Sequence, residues 1–146
     1  GYIISTNLEA MQQIIKMQYY ITACSTDAMQ YGILTAMNQA GEYPDVLAKE
    51  FKQRCDLIVE RLNAMPGVEC HKPKGAIYVF PRVAVPNMTS EEIAMELLKD
   101  GVLCSPGSAF GPSGEGHLRF AYTISQEDIT RGMDKVEATL RRLQSQ

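Results

Sequence analysis

One arginine in this chain sits where an arginine can do chemistry. Arg119 lies in "HLRFAY", residues 117–122, directly behind the glycine- and proline-rich run "PGSAFGPSGEG" at 106–116. Side chains alternate along an extended segment, so Leu118, Phe120 and Tyr122 share one face while Arg119 shares the other with the small Ala121. The apolar face should pack on helices. A guanidinium mounted on a rigid strand is a good holder for a carboxylate, because its planar fork makes two parallel hydrogen bonds. An exposed or ion-paired arginine fits the same spacing and is the more ordinary reading on spacing alone.

The loop ahead of Arg119 invites a second idea, phosphate binding. A nucleotide-binding glycine loop follows a strand and opens a helix, whose terminal N–H groups meet the phosphate. Here the loop opens another strand, and no Gly-Lys-Ser/Thr follows it. A tight turn in which glycines supply positive φ is the expectation.

Other reactive residue types form no constellation. His71 and His117 border loops without a serine or cysteine at a catalytic spacing, and in "GPSGEG" the second glycine follows Ser113 one place too early for a nucleophile elbow. The lysines, Lys72 and Lys74 included, fall in loops or on polar helix faces and should be solvated ammonium groups. Cysteines stand at 24, 55, 70 and 104 with no CxxC pair. That spacing suits neither zinc nor a disulfide framework, so Cys55 and Cys104 are expected to act as small hydrophobes in a reducing, cytoplasmic setting. Tyr78 and Phe80 share a strand face and are expected in the core.

The elements that must position Arg119 can be read from periodicity. The chain has 146 residues, a net charge of −3 and 45% hydrophobic residues, enough for one sizeable core and too acidic for a nucleic-acid surface. No apolar run approaches the ~20 residues of a membrane span. "GYIIS" reads as a strand end, and Ser5, Thr6 and Asn7 are candidate caps for a helix beginning at Leu8. A second helix, 28–40, is capped by Ser25 or Asp27, ends at Gly41 and is apolar on nearly every side, so it needs cover all round. The longest helix runs over about 45–64. Strands are expected at "VECH", "AIYVFPRV", "VLC" and "HLRFAY". Thr89 with Glu92, and Ser125 with Asp128, mark the starts of two further helices. From residue 45 onward the order is helix, two strands, helix, two strands, helix, which predicts an α/β layer of helices on a small mixed sheet.

Three segments together resemble one family. "GEYPDVLAKEFKQRCDLIVERLNAMPGVE" is similar to the long interdomain helix of class I/II, fold type I, pyridoxal-phosphate-dependent aminotransferases of the aspartate aminotransferase-like kind. "KPKGAIYVFP" resembles that family's KPxGAFYxFP segment, and "GVLCSPGSAFGPSGEGHLRFAYT" its GVxxxPGSxFGxxGxxxxRxxY segment. The resemblance covers the whole chain and implies the C-terminal part of such an enzyme. Residues 1–44 would be the end of the large cofactor domain, a strand end plus two apolar helices. Residues 45–146 would be the small C-terminal domain with the interdomain helix.

In the family the arginine of the last motif binds the substrate α-carboxylate, so the resemblance gives Arg119 that role. Gly75 and Tyr78 would border the active site, whereas Ile77 replaces the usual aromatic and puts any stacking there in doubt. The cofactor would be pyridoxal phosphate, and the substrates an amino acid and a 2-oxo acid. The Schiff-base lysine and the phosphate-cup residues have no counterpart here, so the chain is expected to be a piece, inactive alone, of a homodimeric parent whose N-terminal large domain is missing. No residue is assigned to catalysis, cofactor or metal. The alternative is a non-catalytic ligand-binding or interaction module reusing the small-domain fold. It predicts a monomer without exposed apolar patches, which the helix at 28–40 argues against.

Overall fold

A computed structural model describes residues 1–145, which divide into two compact units, Gly1–Pro44 and Asp45 onward. The first unit holds two helices. α1 (Leu8–Thr22) begins where the Asn7 side chain accepts the Ala10 N–H at 3.0 Å, so of the three candidate caps the last is used. α2 (Asp27–Gln39) starts behind Thr26 in place of Ser25 or Asp27, with no side-chain cap bond. Neither helix has a buried residue. Residues 1–5 form no strand, contrary to expectation: no neighbouring strand offers them a ladder, and an apolar stretch becomes a strand only when its backbone is paired.

The second unit carries the core. α3 (Tyr43–Asn63) turns Cys55, Ile58 and Leu62 inward. Farther toward its start Val46 and Leu47 belong to the same apolar stripe yet are exposed. β1 (Val68–Glu69) pairs with β3 (Arg82–Val83), and β2 (Tyr78–Val79) pairs with β5 (Leu118–Ala121), which also pairs with β4 (Ser105–Pro106). An isolated bridge between Arg82 and His117 links the two small sheets. Helices on a small sheet are what the sequence implies; all pairings among the described residues are antiparallel, simpler than the mixed sheet expected.

Two strand boundaries differ from the pattern for a physical reason. "AIYVFPRV" divides at Pro81, which has no N–H for a ladder; its carbonyl instead accepts Leu118 N at 3.1 Å, and the halves join different partners. "VLC" stays outside the strands, which begin one residue later at Ser105.

α4 (Ser90–Lys99) has the full capping box: Thr89 Oγ1 accepts from Glu92 N, and the Glu92 carboxylate accepts from Thr89 N at 2.8 Å. α5 (Gln126–Gln144) is capped by Ser125, whose hydroxyl accepts Asp128 N at 3.1 Å. Ile93 and Leu97 of α4 and Ile129, Met133, Val136 and Leu140 of α5 meet Ile58 and Leu62 in one core against Leu118 and Phe120. Each fully buried aliphatic side chain there contributes about 1.5–3 kcal/mol from leaving water.

Candidate functional site

β5 alternates as the sequence predicts. Leu118, Phe120 and Tyr122 are buried, Arg119 is half-buried and Ala121 exposed. The register with β4 sets Arg119 opposite Ser105, and an Arg119 Nη donates to Ser105 Oγ at 3.1 Å. Its guanidinium carbon lies 4.6 Å from the Tyr78 ring centroid and 4.7 Å from that of Phe110. Phe80 continues the aromatic surface, edge-on to Phe110 and stacked on His117 at 5.1 Å.

Tyr78 and Phe80 are therefore not core residues, as their strand face suggested; both are about 40% exposed, while Val79 between them is buried. The physical cause is the pairing of β2 with β5, which puts Tyr78 opposite Ala121 on the same face as Arg119.

The guanidinium is oriented but not neutralised. Arg54, Arg61, Arg131, Arg141 and Arg142 each pair with a carboxylate; among the described residues Arg119 and Arg82 do not, and of these two only Arg119 is half-buried, Arg82 being exposed. Aromatic faces attract a cation without occupying its N–H groups, so donors remain for an incoming anion. A planar carboxylate is the ligand such a fork fits best.

The loop before β5 is a turn, not a phosphate cradle. It forms two short 3-10 turns, Gly107–Phe110 and Pro112–Gly114. Its N–H groups are already engaged: Gly107 with His117 O, Gly111 with Ser108 O, Gly114 with Gly111 O and His117 with Gly114 O. Two glycines are needed where the strands of the loop cross. A Cβ on Gly107 would lie 1.9 Å from Gly114 O, and one on Gly114 2.1 Å from Gly107 O.

Gly75 is not brought to this cluster. It lines a separate cavity of about 280 Å³ with Phe51, Cys55, Lys72 and Tyr122. A Cβ there would meet nothing within 4 Å, so its backbone does not demand glycine. Its neighbour Ala76 is the unusual residue, with φ at 65° and a carbonyl that accepts the Tyr122 hydroxyl at 2.8 Å.

The remaining reactive groups are quiet. Every lysine is exposed. Lys72, contrary to a free ammonium, pairs with Asp56, and that hydrogen bond raises its pKa. The Cys70 thiol is pushed up to about 11 by burial and then by nearby Cys55, and burial alone takes Cys104 to about 11. Both are neutral thiols at pH 7, without the thiolate character that reactivity requires. Among the described residues no cluster could hold a metal ion, and no helix is long and apolar enough to cross a membrane.

Known proteins match this sequence and fold. An aspartate aminotransferase from Pyrococcus abyssi is 36% identical over 134 residues, 90% of this chain and 34% of that protein. An aromatic-amino-acid aminotransferase from Thermococcus litoralis is 33% identical over the same shares. Among solved structures, an alanine aminotransferase from Pyrococcus furiosus superposes with a TM-score of 0.84 at 28% identity, over 94% of this chain and 36% of its own. In sequence and fold the chain matches the C-terminal part of the fold type I aminotransferases. It spans about a third of the length of the curated relatives it matches. No protein-family model matches it.

Sequence reasoning did not reach Ser105 and Phe110 as neighbours of Arg119. Ser105 is set by strand register, which no local pattern encodes. Phe110 had one usable signal, a large aromatic placed inside a glycine-rich loop.

Proposed function

We propose that this chain serves a pyridoxal-phosphate-dependent aminotransferase by holding the α-carboxylate of the amino acid or 2-oxo acid substrate on Arg119. The observation that carries the reading is a guanidinium flanked by Tyr78 and Phe110, held by Ser105 and free of any carboxylate among the described residues. A carboxylate arriving in a water-poor cleft gains two charge-assisted hydrogen bonds, while Ser105 and the two rings keep the fork from turning away. Binding energy of this kind also favours closure of a mobile domain over the substrate.

When bound, the cofactor supplies the electron sink for moving the amino group. The residues of this chain do not fit a covalent partner for it. That role needs a desolvated lysine of lowered pKa, whereas the lysines here are exposed and Lys72 is shifted upward by Asp56. We therefore assign the cofactor-bearing lysine and the phosphate site to a large domain beyond this chain, with residues 1–44 as its end and residues 45–146 as the small domain. The complete enzyme is proposed to be a homodimer. The chain alone is proposed to be inactive.

The test is to mix the chain with pyridoxal phosphate, reduce with borohydride and map the peptides. No stoichiometric adduct is expected; one lysine labelled at one equivalent would overturn the assignment. The complete enzyme, treated alike, should be labelled at a single lysine outside this sequence.

A further inference from the structure

The glycine-rich loop carries Phe110 to the Arg119 guanidinium, and what fixes the loop lies elsewhere, at the start of α4. The capping box there satisfies Thr89 N and Glu92 N, but not the amide of Ser90 between them. That amide is taken from outside the helix, by Glu115 at the far end of the loop. Glu115 Oε1 accepts Ser90 N at 2.6 Å and its own neighbour Gly116 N at 3.0 Å, and Oε2 accepts the Ser90 hydroxyl at 3.0 Å. Ser90 Oγ in turn accepts Ser108 N at 3.3 Å, near the start of the loop. One buried serine, 1% exposed, thus ties both ends of the loop to α4, with Phe110 between the ties.

The chemistry of the tie is strong for its size. A carboxylate at a helix N-terminus meets unpaired N–H groups and the positive end of the helix dipole. Charge-assisted bonds of this type are about twice as strong as neutral ones. The thermodynamic preference is visible at Glu115 itself, whose carboxyl is held below its ordinary range, first by the Ser90 amide and then by that of Gly116.

We infer that Glu115 and Ser90 are positioning residues for the carboxylate site: they latch the glycine-rich loop to α4 and so hold the Phe110 ring against the Arg119 guanidinium. The inference rests on the reading of Arg119 as the carboxylate holder. Glu115 itself does not touch the substrate. It acts through Phe110, so its removal should loosen the fork and weaken substrate capture without disabling the chemical step.

The experiment uses the complete aminotransferase that carries this chain. Glu115→Gln should raise KM for the amino acid by roughly tenfold, the worth of one charge-assisted hydrogen bond, with kcat within about twofold. Glu115→Asp, which keeps the charge, should recover part of the loss. In a Phe110→Ala background Glu115→Gln should have no further effect on KM, because the ring through which it acts is gone. Should Glu115→Gln not fold, Ser90→Ala, which keeps the backbone amide, decides: KM must rise with kcat retained. An unchanged KM in the folded variant, or full additivity with Phe110→Ala, overturns the latch. If Arg119→Leu also leaves KM unchanged, the carboxylate reading itself has failed. If Arg119→Leu raises KM and Glu115→Gln does not, only the latch has failed.

Discussion

Arg119 differs in what surrounds it from the five arginines that pair with carboxylates. Two rings and a hydroxyl hold it, where a carboxylate holds Arg54 or Arg142. An unpaired cation kept in place by neutral groups retains most of its attraction for an anion. Arg119→Lys should therefore be nearly as poor as Arg119→Leu in the complete enzyme, since a point charge cannot reproduce the fork or stack on Tyr78 and Phe110. The glycines of the neighbouring loop make a sharper prediction about stability. Gly107→Ala drives a Cβ to 1.9 Å from a backbone oxygen and should cost about 3 kcal/mol, read as a lower denaturation midpoint at unchanged slope. Gly75→Ala meets nothing within 4 Å and should change stability by less than about 0.5 kcal/mol. The contrast between the two variants separates a glycine required by close approach from one that is not.

At the scale of elements, α4 is the part whose start does most. Thr89 and Glu92 close its first turn, Glu115 closes it from outside, and Ile93 and Leu97 fill the core below. Thr89→Ala should cost about 1 kcal/mol through the lost cap. Leu97→Ala, at a fully buried site, should cost about 2–5 kcal/mol through lost transfer energy and the cavity left behind.

The two carboxylates also make the unit sensitive to acid. Glu92, held first by the Thr89 amide, and Glu115, held first by the Ser90 amide, both titrate below the ordinary 4.5. A folded-state pKa below the unfolded one gives stability that is fully present above about 4.5 and lost as pH falls through the folded values. Urea midpoints should accordingly drop below pH 4.5, and the drop should be shallower in a Glu92→Gln, Glu115→Gln double variant. Equal acid sensitivity in both proteins would contradict this.

The sequence made these helices legible because their caps and apolar stripes are local. Thr89 and Glu92 are three residues apart, as are Ser125 and Asp128, so the interactions that start α4 and α5 are written side by side. The site was legible only in part. The alternation in "HLRFAY" separates Arg119 from the core, but strand pairing alone brings Ser105 and Tyr78 to it, and pairing is a long-range property. The core assignment of Tyr78 and Phe80 failed for the same cause. A strand of two residues, with a proline two positions beyond its end, has too little pattern to reveal which face its partner will cover.

For the whole molecule, the two units differ in how they treat apolar surface. The unit from Asp45 onward builds a core, whereas Ile15, Tyr19, Ile33 and Met37 of the first unit are all more than 60% exposed. Apolar surface on that scale marks a contact. The proposal that residues 1–44 belong to a large domain explains it by naming the missing cover. The chain alone should then bind a hydrophobic dye strongly and self-associate in sedimentation, while a protein of residues 45–146 should bind little dye and still unfold cooperatively. Equal dye binding by the two would argue instead for the self-sufficient module.

The central claim, that Arg119 holds the substrate α-carboxylate, is tested most directly by discrimination in the complete enzyme. The measurement is kcat/KM for an α-amino acid and for the amine that lacks only its carboxylate, in wild type and in Arg119→Leu. Wild type should prefer the amino acid by about a hundredfold or more, the worth of two charge-assisted hydrogen bonds, and Arg119→Leu should lose this preference mainly through the amino acid. A variant that keeps the wild-type ratio would show that the carboxylate is held elsewhere.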